Sequence, residues 1–223
     1  ALEDRGVSVT TLGQGGKYFP VLQAFRAHGT KDVLHFHFFH QLMVASIFSW
    51  RGPPITSILL SMRLVGELAV TKLLGTKLVW TAHDLMNHER RAMRTELFFK
   101  HLIIRFLCDD IIVHCEGAKE VIVDTYRLPE STAAKMTVVP HGHFIDDYPN
   151  DISRDQAREE FGVSEEETVF LFFGWIRRYK NVPLLIDTFR RIETPFARLI
   201  VAGNPRTDRL EKIVRTRAAG DAR

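Results

Sequence analysis

Apolar, β-branched runs recur along this chain, each followed by a segment of helical character, and that alternation restricts the fold more than any other feature. Runs at residues 7–12, 33–39, 78–82, 110–114, 136–140, 168–173 and 199–202 read as strands. The segments 17–28, 55–74, 88–107, 118–128, 153–161, 182–191 and 208–218 read as helices. Strands that are apolar almost throughout, rather than at every second position, belong in a sheet covered on both faces. Strand–helix–strand repetition then implies an α/β fold with parallel, doubly wound sheets.

Residues 143–150, with Pro149 and several acidic or amide side chains, form the best boundary. The expected division is a domain over 1–148 and a second over 149–223, with Ser153 as N-cap of the helix that opens the second. Residues 1–6 read as the last turn of a helix closed by Gly6, so a strand is expected ahead of residue 1. Residues 168–223 offer two strands and two helices, too few to cover both faces of a sheet, and the second domain is expected to be incomplete.

The formal charge of +3 among 223 residues is too small an excess to point to nucleic acid. It suits a polyanionic ligand such as a diphosphate, or loose contact with an anionic membrane surface. Cys108 and Cys115 have no zinc-type spacing and imply no disulfide framework, so a reducing, cytoplasmic setting is expected. The apolar stretch 55–74 is interrupted by Arg63, Glu67 and Lys72 and reads as a buried crossover helix rather than a membrane span. A peripheral position at the inner face of the membrane stays open on the same composition.

The chemistry concentrates at residues 168–189, where an apolar strand runs into Gly174. Arg177, Arg178 and Lys180 follow in a short loop, and a helix opens near Val182 or Pro183. Ligands of open α/β sheets bind beyond the carboxyl ends of strands, and a helix N-terminus with adjacent cations is an anion site. Arg grips phosphate oxygens bidentately, Lys adds a point charge, and Gly174 lets backbone approach a ligand. The alternative is a solvated basic loop.

Elsewhere, residues 79–89 place His83, Asp84, His88 and Glu89 beyond a strand end, where acid–base groups belong. Glu89 serves equally as a first-turn helix charge. His141 and Gly142 follow the strand 136–140, with Gly142 expected in a tight turn. His35 and His37 share one face of their strand and His40 lies past it, but a third metal ligand is not evident and no metal is expected. Gly13, Gly15 and Gly16 lack the third glycine of a dinucleotide-binding loop and read as a flexible turn.

The string FFGWIRRYKN, then a helix, then RLIVAGNP, resembles the start of the donor-binding domain in retaining glycosyltransferases of family 4. VWTAHDLMNHE, TVVPHGHF and the HFH strand are similar to first-domain stretches of those enzymes. The resemblance implies a GT-B fold, with two Rossmann-like domains. It implies transfer of a sugar from a UDP- or GDP-sugar to a glycan or lipid-linked acceptor, with retention and without a metal or other cofactor, as in polysaccharide biosynthesis. By position, Lys180 and Arg177 (or Arg178) hold the diphosphate, with Gly174 beside them, and His83 lies near the donor sugar. His141, Gly142 and Glu89 fall toward the cleft. His37, His40, Gly15 and Gly16 fall on the acceptor side. Trp175 stands where many members carry arginine, and Asn181 replaces the usual glycine. A GT-B sugar-nucleotide epimerase or a non-catalytic sugar-phosphate-binding module are the competing readings.

Overall fold

Four of the apolar runs become parallel strands: β1 (Val33–Phe36), β2 (Lys77–Thr81), β3 (Asp110–Val113) and β4 (Met136–Val138). They are hydrogen-bonded in the order β1-β2-β3-β4, so spatial order equals chain order and every strand points the same way. Parallel neighbours need a crossover, and helices supply it. Six helices accompany these strands: α1 (Pro20–His28), α2 (His40–Met43), α3 (Pro54–Leu73), α4 (Met93–Leu102), α5 (Glu116–Tyr126) and α6 (Glu130–Ala133). The computed structural model describes residues 3–11, 19–43, 54–87, 92–143, 145 and 147–221. It divides into two units, Ala1–Gly142 and His143–Arg223.

The core of the first unit lies where the inner strands meet the crossovers. Leu78, Trp80, Ile111 and Val113 are buried with Leu64, Leu68, Ile103 and Ile104. Burying each such side chain contributes on the order of 1.5–3 kcal/mol. The three charges that interrupt α3 all work inside the unit. The Glu67 carboxylate accepts the Val21 and Leu22 N–H groups at 3.1 and 3.2 Å. It thereby caps α1, whose own N-cap, Phe19, makes no side-chain cap. Burial pushes the Glu67 carboxyl up, and the two N–H donors and Arg63 offset this only in part. Arg63 donates to Leu42 O and pairs with Glu67, while Lys72 bonds Asp109 at 2.6 Å. Among the described residues no helix is long and apolar enough to cross a membrane.

A second buried pair fixes the segment after β2. Lys100 Nζ lies 2.8 Å from Glu96, both nearly inaccessible to water, and donates to Leu85 O. Glu96 in turn accepts the Asn87 N–H at 3.1 Å and the Asn87 amide. Tyr126 Oη also donates to Leu85 O. Helix α4, helix α5 and the loop 83–87 are thus tied at one point.

The second unit opens with α7 (Arg154–Glu160), where Ser153 and Gln156 form a reciprocal capping box. Strands β5 (Thr168–Phe173) and β6 (Ala197–Ala202) pair in parallel, with helices α8 (Val182–Phe189) and α9 (Asp208–Ala218). Ile176, Val182, Ile186 and Val214 form its core. Leu171 and Phe173 remain 63% and 81% exposed, so one face of this pair is uncovered.

Several elements depart from expectation. Residues 7–11 form no strand, and Val7 and Val9 are exposed rather than packed in a sheet. The first strand ends at Phe36, three residues early, because the chain turns so that Phe39, Met43 and His40 can bury in and beside α2. The helix expected over 88–107 begins at Met93, after Ala92 in the left-handed region. It closes through a π-turn, Ile103–Leu107, in which the Cys108 N–H reaches Ile103 O. Gly6 has φ 74° but closes only a 3₁₀ turn, Glu3–Arg5.

Replacing Lys100 by Met strands Glu96 among apolar neighbours without its cation. Urea unfolding should show a loss of about 3–5 kcal/mol, and the double change with Glu96→Gln should lose less than the sum of the singles.

Candidate functional site

The carboxyl edge of the first sheet gathers an imidazole from every strand end. His35 ends in β1 and His37 follows it, His83 lies just past β2, His114 follows β3, and His141 follows β4. The parallel order puts these positions side by side although 31 and 46 residues separate the two bonded imidazole pairs. His37 Nδ1 and His83 Nε2 are 2.8 Å apart, and His83 Nδ1 and His114 Nε2 are 3.3 Å apart. His114 Nδ1 donates to Val139 O at 3.0 Å and His141 Nδ1 to Gly142 O at 2.9 Å. His35 Nε2 meets Thr81 Oγ1 at 2.8 Å. The His114 and His141 rings are 5.0 Å apart, and Phe38 stacks on His83 at 5.1 Å. Burial first, then the nearby His37 and His114 rings, hold the half-buried His83 below the ordinary histidine value, and Asp84 pulls weakly the other way. Burial and the neighbouring imidazoles thus favour the neutral form of the ring.

The second unit presents cations at the end of β5. Gly174 follows the strand at φ 115°, a conformation that favours glycine. Ile176 bridges to Pro205 and is buried, anchoring the turn, while Arg178–Lys180 form a 3₁₀ turn. Asn181, at φ 51°, then leads into α8 with Pro183 in its first turn. The Lys180 ammonium folds back over the strand end, 5.7 Å from the Phe172 ring centre and close above Gly174. Arg177 is half-buried, and Arg178 and Lys180 are exposed. Among the described residues none of these three makes an ion pair, whereas Arg198, Arg215 and Arg217 of the same unit are matched with Glu167, Glu211 and Asp187. The helix adds little of its own, since Pro183 has no N–H and the Leu184 and Leu185 N–H groups return to Asn181 O. The positive character of this strand end therefore comes from side-chain charge more than from free amides.

The other positions singled out in the sequence scatter. His37 and His141 join His83, but His40 is 9% exposed at the start of α2 with its ring edge-on to Phe38. Gly142 has open space around it and no positive φ, so no tight turn demands glycine there. Glu89, Gly15 and Gly16 lie outside the described residues. Cys115 caps α5 by accepting the Ala118 N–H, a structural task. His114 was not picked out from sequence, because within its own strand it is one terminal residue. Asking which residue follows each parallel strand is the signal that finds it.

No family model matches the chain. It is 28% identical over 200 residues to the GDP-mannose:glycolipid 4-beta-D-mannosyltransferase of Xanthomonas campestris pv. campestris, covering 86% of this chain and 47% of that protein. It is 32% identical over 85 residues to the lipopolysaccharide 1,2-N-acetylglucosaminetransferase of Salmonella typhimurium, covering 37% of this chain and 21% of that one. The chain thus spans no more than about half the length of these curated relatives. HepE of Anabaena, solved in complex with UDP, superposes with a TM-score of 0.55 over 90% of this chain and 48% of its own, at 13% identity. That likeness shows the fold: an α/β chain of parallel sheets of the GT-B type.

Gly203, just past β6, is where the two strand ends press together. A Cβ there would lie 2.0 Å from Gly174 O. Gly203→Ala should therefore cost about 1–3 kcal/mol in urea unfolding and shift the backbone resonances around Lys180, whereas Gly142→Ala should leave stability unchanged.

Proposed function

We propose that the protein is a hexosyltransferase that moves a sugar from a nucleoside diphosphate sugar to a glycan or lipid-linked glycan. One observation carries the reading: among the described residues Arg177, Arg178 and Lys180 gather at one strand end with no acidic partner, whereas Arg198, Arg215 and Arg217 of the same unit pair with Glu167, Glu211 and Asp187. Like charges gathered without counter-ions repel, and a diphosphate relieves that repulsion. The names of the relatives, both sugar transferases, and the UDP in the HepE crystal support the same ligand class.

In this mechanism the donor diphosphate lies over Gly174. Arg177 and Arg178 grip its oxygens bidentately, and Lys180 supplies a compact charge beside them. As the bond from sugar to phosphate breaks, negative charge grows on the leaving diphosphate, and fixed cations stabilise it without a metal.

Two stereochemical courses are in play. The family 4 resemblance supports retention. The β-D-mannosyl product named for the Xanthomonas relative supports the other course, since a β-linked product from an α-linked sugar diphosphate is an inversion. The one-bond C1–H1 coupling of the isolated product, compared with that of the donor, decides between them.

Lys180→Ala in the intact protein should weaken UDP or GDP binding about tenfold to a hundredfold by titration calorimetry, the loss typical of a charge-assisted hydrogen bond. Unchanged affinity for both nucleotides would remove Lys180 from the site and overturn the diphosphate reading.

A further inference from the structure

We propose that His83, His114 and His141 form an open site for a first-row transition-metal ion, of which Zn²⁺ is the representative, on the first unit. One ligand nitrogen from each ring lies within 4.8 Å of the others. Zinc bonded to nitrogen at about 2.0–2.1 Å with tetrahedral angles sets neighbouring ligands roughly 3.3 Å apart. His83 Nδ1 and His114 Nε2 already stand at 3.3 Å. No separation in the trio need close by more than about 1.5 Å to share an ion, and His141 is exposed on the segment after β4.

The remote nitrogens make the stronger case. A histidine that binds metal through one nitrogen donates a hydrogen bond through the other, and that bond fixes its tautomer and direction. His114 Nδ1 donates to Val139 O and His141 Nδ1 to Gly142 O, which leaves both Nε2 lone pairs unprotonated in the neutral rings. His83 Nε2 lies 2.8 Å from His37 Nδ1, so this third ring also has a partner for its remote nitrogen. Without an ion, His83 Nδ1 must carry a hydrogen to face the His114 lone pair. A cation takes the place of that hydrogen. Three imidazoles with no carboxylate in the set suit zinc, nickel or copper over magnesium or calcium. With a fourth position left to water or a sugar hydroxyl, the arrangement matches an open site rather than a closed structural one.

This inference is independent of the transfer reading, because it needs neither nucleotide nor turnover. Tag-free, metal-stripped intact protein should bind one Co²⁺ per chain and develop the intense visible absorption of tetrahedral nitrogen coordination, which Zn²⁺ then bleaches. His114→Ala and His83→Ala should abolish that absorption. His37→Ala should weaken Zn²⁺ binding about tenfold to a hundredfold, as loss of a supporting hydrogen bond does. Lys180→Ala, in the other unit, should leave it unchanged. A wild-type protein showing only the pale spectrum of hydrated Co²⁺ overturns the proposal whatever the variants do. So does an unaltered spectrum in a folded His83→Ala, His114→Ala double variant.

Discussion

A carboxylate and an ammonium withdrawn from water are costly unless each finds enough partners, and Glu96 and Lys100 find theirs in each other and in the loop after β2. Their remaining hydrogen-bonding capacity is spent on Leu85 O, the Asn87 N–H and the Asn87 amide. The loop that leaves β2 therefore cannot relax without exposing a buried charge to an apolar setting. His83 sits at the base of that loop. Its place against His37 and His114 is inherited from an ion pair that neither touches it nor shares its chemistry. Glu67 plays the same part on the other side of α3, where its carboxylate ties down the start of α1.

The strands were legible because each is a nearly continuous apolar run, and six of the seven runs pair as parallel strands, although one face of the β5–β6 pair is uncovered. Residues 7–11 fail for the reason the pattern is only a necessary condition: a Val-Ser-Val-Thr-Thr stretch has strand propensity, but Val7 and Val9 face solvent. The helix boundaries after His88 were less legible, since a π-turn and a left-handed Ala92 leave no mark on apolar periodicity. The Arg177–Lys180 loop could be located from composition. Its lack of acidic partners among the described residues could not, because the residues that match Arg198 and Arg217 lie 30 or 31 positions away.

The imidazole cluster marks the limit of reading one strand at a time. Alternation along β1 places His35 and His37 on one face and stops there. The missing rings come from β2, β3 and β4, and only the sheet order brings them into reach. The two chemistries of the molecule are accordingly of different kinds. The cations of the second unit are contiguous in sequence and attract through charge. The rings of the first unit are dispersed in sequence and hold lone pairs in fixed directions.

That dispersal bears on how the first unit assembles. Each ring pair spans a separate crossover, with 46 residues between His37 and His83 and 31 between His83 and His114. Closing such loops carries an entropic cost that local helices never meet, and contacts of this range form late. The cluster is therefore a property of the finished sheet: no nascent stretch of the chain short of residue 114 can contain the His83–His114 pair, and losing any one crossover dismantles it.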